Sequence, residues 1–354
     1  MGNKIYEYPR WIVFQLLEKC NLRCKMCYEW GESGSYLDKN DLKELDIDIV
    51  KKVIYESAPY NPFFELFGGE PLLYRNIEDI LMTVNKVNGK ISIPTNGTLV
   101  EQYAESIIKY SVNKIWISID GPESYNDAQR GKGVFKRAVR GIETLYRIKK
   151  EKGTMFPEIG ITMVVTPNNY KTIEELFINQ LNPDMLDWIS IEFQLYITEE
   201  RYSSYCKFAK DNLGVINPLS AKGYLREVTE FQSIDIDELI RQINIVKDYC
   251  TNHMIKLIGY PKYIEKDNLL YFYTGQWEKM KEKKKRCSLP WVYAEISASG
   301  NVTPCHTFYD YSLGNIYNQS LKEIWNSEKI REFRKCVQNL MPVCIACSRY
   351  YSDL

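Results

Sequence analysis

Cys20, Cys24 and Cys27 form a C-x3-C-x2-C triplet, C-N-L-R-C-K-M-C, at the end of an apolar run from Trp11 to Leu17. A strand candidate therefore runs straight into a tight loop of three thiols. Three thiolates on one loop can hold three irons of a cubane iron–sulfur cluster. The fourth iron is then left without a protein ligand, free for a substrate or cofactor. Ordinary electron-transfer clusters use four cysteines, so the gap points to chemistry.

Composition narrows the setting. With 354 residues, 45% of them hydrophobic, the chain can build one large α/β domain and a smaller one. Lys and Arg number 46, as do Asp and Glu, so no bulk field favours nucleic acid or an anionic membrane. The start lacks the apolar stretch of a signal peptide. No segment approaches the roughly 18 apolar residues of a membrane helix. A cytoplasmic protein is expected, and there its ten cysteines read as metal ligands rather than disulfides. Two histidines exclude a His-rich metal site. The 27 tyrosines and seven tryptophans read as packing surface with polar tips.

Apolar periodicity gives the architecture. Strands are predicted at Trp11–Leu16, Phe63–Phe67, Ile91–Pro94, Ile115–Ile119, Ile159–Val165 and Ile189–Phe193. Helical spacing joins Ile77, Ile80, Leu81, Val84 and Val87. It also joins Leu42, Leu45, Ile49, Val53 and Ile54, and Ala138, Ile142, Leu145 and Ile148. Such alternation implies parallel strands with helices outside. Six units make an α/β fold, a partial (β/α)6 TIM-like barrel. Unusual residues follow successive strands: the cysteine triplet, Gly68-Gly69-Glu70-Pro71, Thr95-Asn96-Gly97, Asp120-Gly121 and Thr166-Pro167-Asn168-Asn169. Parallel barrels place their active sites at those C-terminal ends. Asp120-Gly121 reads as a turn with no catalytic role.

The triplet, with Tyr28 after it, resembles the signature of the radical S-adenosylmethionine (SAM) enzymes, and Gly68-Gly69-Glu70-Pro71 is similar to their GGEP motif. The resemblance implies that Cys20, Cys24 and Cys27 hold a 4Fe-4S cluster that binds SAM. It also implies that Gly68, Gly69, Glu70 and Pro71 receive the SAM amine. Ser118, in I-S-I-D-G, matches a serine near the methionyl group or ribose. Arg130, in N-D-A-Q-R-G, matches an arginine on the SAM carboxylate, which a guanidinium fork suits. Asn96 is a further candidate at the SAM pocket, with turn formation as its plainer role.

Cys287, Cys305, Cys344 and Cys347 make a second group. With S-A-S-G-N-V-T-P-C, which reads as a β-hairpin, then L-G-N-I, L-K-E-I-W-N-S and C-I-A-C, it resembles a SPASM/twitch extension. A later C-x5-C-x3-C is absent, so the resemblance implies one auxiliary 4Fe-4S cluster on these four cysteines. The alternatives are a tetrahedral zinc site and Cys336 replacing one ligand. Cys206 and Cys250 are expected to be buried thiols, and His253 structural. His306 stands where related enzymes carry an acidic base, so it is the candidate proton acceptor.

The expected organisation is a core barrel over 1–235, a bridging segment over 236–286 and an auxiliary domain over 287–354. The expected activity is that of a maturase of oxidoreductase type. A 5′-deoxyadenosyl radical takes hydrogen from a C–H bond of a peptide or protein side chain, and the auxiliary cluster carries electrons away. A flavodoxin- or ferredoxin-like donor is implied. The basic run Lys279–Arg286 reads as a helix end or linker, or as a docking patch for that donor. No room is expected before residue 11 for a leader-recognition domain. Alternatives are a dehydrogenase of aminoglycoside- or sugar-type small molecules, and an iron–sulfur or zinc-binding sensor.

Overall fold

The computed structural model describes residues 6–260, 264–280 and 287–347. Its centre is one ten-stranded sheet in the order β10-β9-β8-β1-β2-β3-β4-β5-β6-β7. The first seven strands run parallel in chain order: β1 (Trp11–Gln15), β2 (Phe63–Phe67), β3 (Lys90–Thr95), β4 (Lys114–Ser118), β5 (Glu158–Val165), β6 (Trp188–Phe193) and β7 (Lys256–Tyr260). The six predicted strands are all present within a residue of their expected ends. Buried Ile12, Phe14, Leu66, Ile91, Ile93, Ile115, Ile117, Ile161 and Ile191 supply the sheet's share of the main core. Helices such as Ile77–Lys86, Val100–Lys109 and Val134–Glu151 cross between strands, as parallel pairing requires.

Two features depart from expectation. The first helix begins only at Ile47, because Asp46 caps it by accepting from the amides of Asp48 and Ile49. Leu42 and Leu45 therefore precede it, and Leu45 is tied to Leu16 through its amide instead. The segment 236–286 also does more than bridge. Its helix Ile236–Asn252 leads into β7, which pairs with β6.

The C-terminal part joins the same sheet. β8 (Tyr293–Ile296) lies parallel to β1, and β9 (Asn301–Thr303) folds back antiparallel on β8. β10 (Gly314–Asn315) closes that edge. The predicted hairpin is thus present. Its effect is to hang the second cysteine group on the strand that leads into the first.

Candidate active site

Each sequence-predicted motif sits where a parallel strand ends, and the motifs brace one another. Gly69 and Glu70 donate their amides to the carbonyls of Leu17 and Lys19, at 2.9 and 3.0 Å. A Cβ on Gly68 would meet the Leu17 carbonyl at 2.4 Å, and one on Gly69 the Lys19 carbonyl at 2.3 Å. The two glycines therefore let this turn press against the chain entering the cysteine loop. Close approach to a ligand is not their only reason for being there.

Glu70 is buried, and its carboxylate accepts from the amide of Asn96 at 2.8 Å, the hydroxyl of Thr95 at 2.7 Å and the amide of Leu72 at 3.1 Å. Burial pushes its pKa up to about 7 against those three bonds. Most of its acceptor capacity is spent inside the protein. Asn96 continues the chain of contacts, donating to Asn21 at 2.8 Å and reaching Cys20 Sγ at 4.0 Å.

Arg130 closes the opposite side. It ends helix Glu123–Arg130, and its Nε donates to Asp120 Oδ2 at 2.5 Å while Nη1 lies 4.0 Å from Cys24 Sγ. Burial opposes the guanidinium charge, but Asp120 and then the Cys24 thiol outweigh it and hold the arginine above its usual pKa. Asp120 is fully buried and also accepts from Gln129 at 2.8 Å and from the Val164 amide at 2.8 Å. It is the positioning residue that sequence reading missed. Asp-Gly after a strand reads as a turn, and nothing local shows that a partner stands ten residues on.

A cavity of about 320 Å³ collects these groups. Cys20, Cys24 and Cys27 line it with the Gly68–Pro71 turn, Asn96, Ser118, Arg130 and His306. Every expected SAM-pocket residue thus faces one space. Tyr28, which follows the cysteine triplet, lines it too, as do Phe67, Tyr224 and Arg226, which sequence reading did not single out. A larger cavity lies elsewhere. It measures about 780 Å³, between loop 33–39, residues 219–225 and the β8–β9 hairpin, and Glu295 and Asp310 line it. The smaller cavity is the chemically significant one, because the thiols are there.

The thiols have donors aimed at them. The Leu22 amide lies 3.4 Å from Cys20 Sγ and the Trp30 amide 3.3 Å from Cys27 Sγ. Burial raises the Cys20 thiol to about 12 and the Cys27 thiol to about 11; it raises Cys24 as well, where Arg130 works against it. In the second group, the Phe308 amide lies 3.3 Å from Cys305 Sγ and the Thr307 hydroxyl 3.5 Å from Cys347 Sγ. Burial, then the thiols of Cys305, Cys347 and Cys287, push Cys344 well up. Among the described residues, no three His, Cys, Asp or Glu side chains close on one point as a single ion requires. A cubane asks for something else, since each thiolate takes its own iron and the sulfurs stand apart. Donors directed at sulfur are what such thiolates use, so both groups fit clusters.

His306 Nδ1 lies 3.0 Å from Glu295 Oε2 and 3.0 Å from the Tyr293 hydroxyl, which itself donates to Glu295. A proton on Nδ1 shared with Glu295 leaves the lone pair on Nε2. The ring packs edge-on to Phe67, 5.1 Å between centroids. The remaining cysteines stand apart. Cys336 ends helix Glu328–Cys336 and points its thiol at the Asn212 carbonyl, 3.8 Å away. Cys250 is buried, whereas Cys206 is half-buried beside Tyr202 rather than buried as expected. His253 is exposed at the end of helix Ile236–Asn252. Most of the basic run Lys279–Arg286 lies outside the described residues.

Comparison with known proteins agrees with this arrangement. The Radical SAM superfamily model matches residues 14–177, and the iron–sulfur cluster-binding SPASM model matches 287–348. This chain belongs to the radical SAM superfamily and carries a C-terminal SPASM domain. It is a radical SAM enzyme whose cofactors are SAM, a SAM-binding 4Fe-4S cluster and an auxiliary 4Fe-4S cluster.

Among relatives, it is 25% identical to the tungsten-containing aldehyde ferredoxin oxidoreductase cofactor-modifying protein of Pyrococcus furiosus, over 96% of this chain and 87% of that one. It is 26% identical to the AdoMet-dependent heme synthase of Methanosarcina barkeri, over 96% and 91%. It is 24% identical to the subtilosin biosynthesis protein AlbA of Bacillus subtilis, over 94% of this chain and 62% of that relative. The fold is similar to Streptococcus suis SuiB bound to S-adenosylmethionine, with TM-score 0.63, 18% identity, and coverage of 92% and 67%. No helix among the described residues is long and apolar enough to cross a membrane.

Proposed function

We propose that this enzyme is a maturase that removes hydrogen from a C–H bond of a peptide or protein side chain. Cys20, Cys24 and Cys27 are the ligands of the SAM-binding cluster, and Cys287, Cys305, Cys344 and Cys347 those of the auxiliary cluster. When bound, SAM and its cluster supply one-electron cleavage of SAM and hydrogen abstraction from carbon. The observation that carries the reading is the single cavity shared by the three thiols, the Gly68–Pro71 turn, Arg130 and His306.

The chain's own groups have separable tasks. Arg130, fixed by Asp120, presents a guanidinium to the SAM carboxylate. Backbone groups of Gly68–Pro71 receive the amine, while the Glu70 carboxylate braces the turn. Ser118 and Asn96 complete the SAM-binding wall. Phe67, Tyr28 and Tyr224 exclude water from the reacting atoms. His306 Nε2 takes the proton released from substrate, with Nδ1–H held by Glu295.

The larger cleft lined by Glu295, the residue bonded to His306, favours a peptide, since it offers room that a small molecule would not fill. The kinship with AlbA points the same way. A second reading, modification of a small cofactor, draws on the P. furiosus and M. barkeri relatives, which the chain matches over most of their length. Anaerobic turnover with dithionite, SAM and candidate substrates separates the two. Product from a genome-neighbour peptide, with His306→Gln still cleaving SAM but losing product, supports the maturase. Product from a cofactor precursor alone moves the assignment to the second reading. No SAM cleavage by the native chain overturns both.

A further inference from the structure

Two arginines line the SAM cavity, and they are held differently. Arg130 pairs with the fully buried Asp120. Arg226 has no such partner. Its side chain is 10% exposed, and the one carboxylate within ion-pair reach among the described residues is that of half-exposed Glu230, 4.0 Å from Nε. Nη1 donates to the Leu225 carbonyl at 2.6 Å, to the Gly223 carbonyl at 3.3 Å and to the Ser33 hydroxyl. Those acceptors are neutral, so they orient the guanidinium without cancelling its charge. Nη2 has no hydrogen-bond partner among the described residues, yet it is not sealed off by protein as Arg334 Nη2 is.

The backbone fixes where this guanidinium stands. The Ile197 amide donates to the Tyr224 carbonyl at 2.9 Å, and the Arg226 amide to the Ile197 carbonyl at 3.1 Å, so the segment is tied to the chain leaving β6. A Cβ on Gly223 would meet the Tyr28 carbonyl at 2.0 Å, so a glycine lets the segment lie against the residue after Cys27. Tyr224 stacks on Tyr28 with 4.8 Å between centroids. Arg226 is thereby held on the Cys27 side of the cavity, whereas Arg130 reaches Cys24. A buried cation without a buried anion is costly. Burial holds Arg226 below the usual guanidinium pKa, against the pull of Glu230, then Glu32 and the Cys27 thiol. An arriving carboxylate offsets that cost, and a guanidinium fork suits one. SAM brings a single carboxylate, which Arg130 takes, so Arg226 is left for the substrate.

We propose that Arg226 receives a side-chain carboxylate of the substrate, so that the enzyme selects a peptide with Asp or Glu close to the residue it modifies. This rests on the reading above that the substrate is a peptide bound in the SAM cavity. The contact makes and breaks no bond. It fixes which peptides enter and how they lie against His306, which lines the same cavity. A peptide with Asn or Gln in place of the acid leaves the buried guanidinium without a counter-charge, and that loss is the source of the discrimination.

The test is affinity selection on oxygen-free holoenzyme saturated with SAM, with a randomised library of N-acetylated, amidated octapeptides as the probe. Peptides retained by the native enzyme should be enriched in Asp or Glu over Asn or Gln by about 10- to 100-fold, the range that a hydrogen bond to a charged group supports. Arg226→Lys should keep the preference and Arg226→Gln should lose it. Arg226→Glu should turn it toward Lys and Arg, a reversal that a purely structural arginine would not produce. Equal retention of acidic and amide peptides by the native enzyme overturns the proposal and leaves the peptide reading standing. SAM titration excludes the other assignment. A loss of SAM affinity in Arg226→Gln as large as that in Arg130→Gln gives the guanidinium to SAM and also overturns the proposal. Retention of no peptide at all sinks the peptide reading and this proposal with it.

Discussion

The two cysteine groups share one sheet yet are built for opposite tasks. Cys20, Cys24 and Cys27 line a cavity with a buried arginine at their side. None of Cys287, Cys305, Cys344 and Cys347 lines that cavity, and no basic side chain figures among the leading influences on Cys305 or Cys344. Only the first group lines a cavity together with Asn96, Ser118 and Arg130. A cluster that takes all four of the second group as ligands, as proposed above, keeps no iron open to substrate and is suited to passing electrons. What separates them is less the thiols than the neighbours, Arg130 on Asp120 above all.

The largest expected effect comes from breaking each group in turn. Cys24→Ala should lower SAM cleavage by about 1,000-fold or more, because a cluster ligand and the partner of Arg130 go together. Cys344→Ala should leave cleavage within about tenfold of native yet abolish substrate product. Counting 5′-deoxyadenosine and product in the same reactions checks both, and equal loss of cleavage in the two variants would erase the contrast.

Next is the arginine's anchor. Asp120→Ala leaves a buried guanidinium unpaired, a change that costs about 3–5 kcal/mol of stability. Asp120→Asn keeps an acceptor and should fold, but weaken SAM binding roughly 10- to 100-fold, as loss of a supporting partner does at metal sites. SAM titration of the Asn variant measures it. Gly69→Ala drives a Cβ into the Lys19 carbonyl. It should destabilise the fold by about 1–3 kcal/mol, read as a lower denaturation midpoint with weaker SAM binding.

The smallest effect concerns pH. Glu29 is buried two residues after Cys27, and burial, then Glu295 and Glu18, push its pKa from 4.5 to about 8. The folded state keeps a proton that the unfolded chain releases above its own pKa. Its contribution to stability is therefore full below about pH 4.5 and lost as pH rises through about 8. Urea midpoints at pH 5 and pH 8.5 should differ less in Glu29→Gln than in the native protein.

Much of this was legible in sequence, for physical reasons. β-branched runs such as Ile159–Val165 mark buried parallel strands by composition alone. The motifs stand out because cysteines, paired glycines and asparagines interrupt those runs at strand ends. Leu42 and Leu45 misled because their spacing fits a helix, while Asp46 provides a cap that starts it later. The pairing of β8 with β1 was hidden, since contacts nearly 300 residues apart leave no local pattern. Asp120 was hidden likewise, its meaning being the arginine it holds in space.

Pulsed electron–nuclear double resonance on reduced holoenzyme, with SAM labelled by nitrogen-15 at its amine, tests the central claim most directly. The account predicts nitrogen coupling to one cluster, lost in Cys24→Ala and kept in Cys344→Ala. Coupling to the cluster of Cys287, Cys305, Cys344 and Cys347, or to neither, would contradict it.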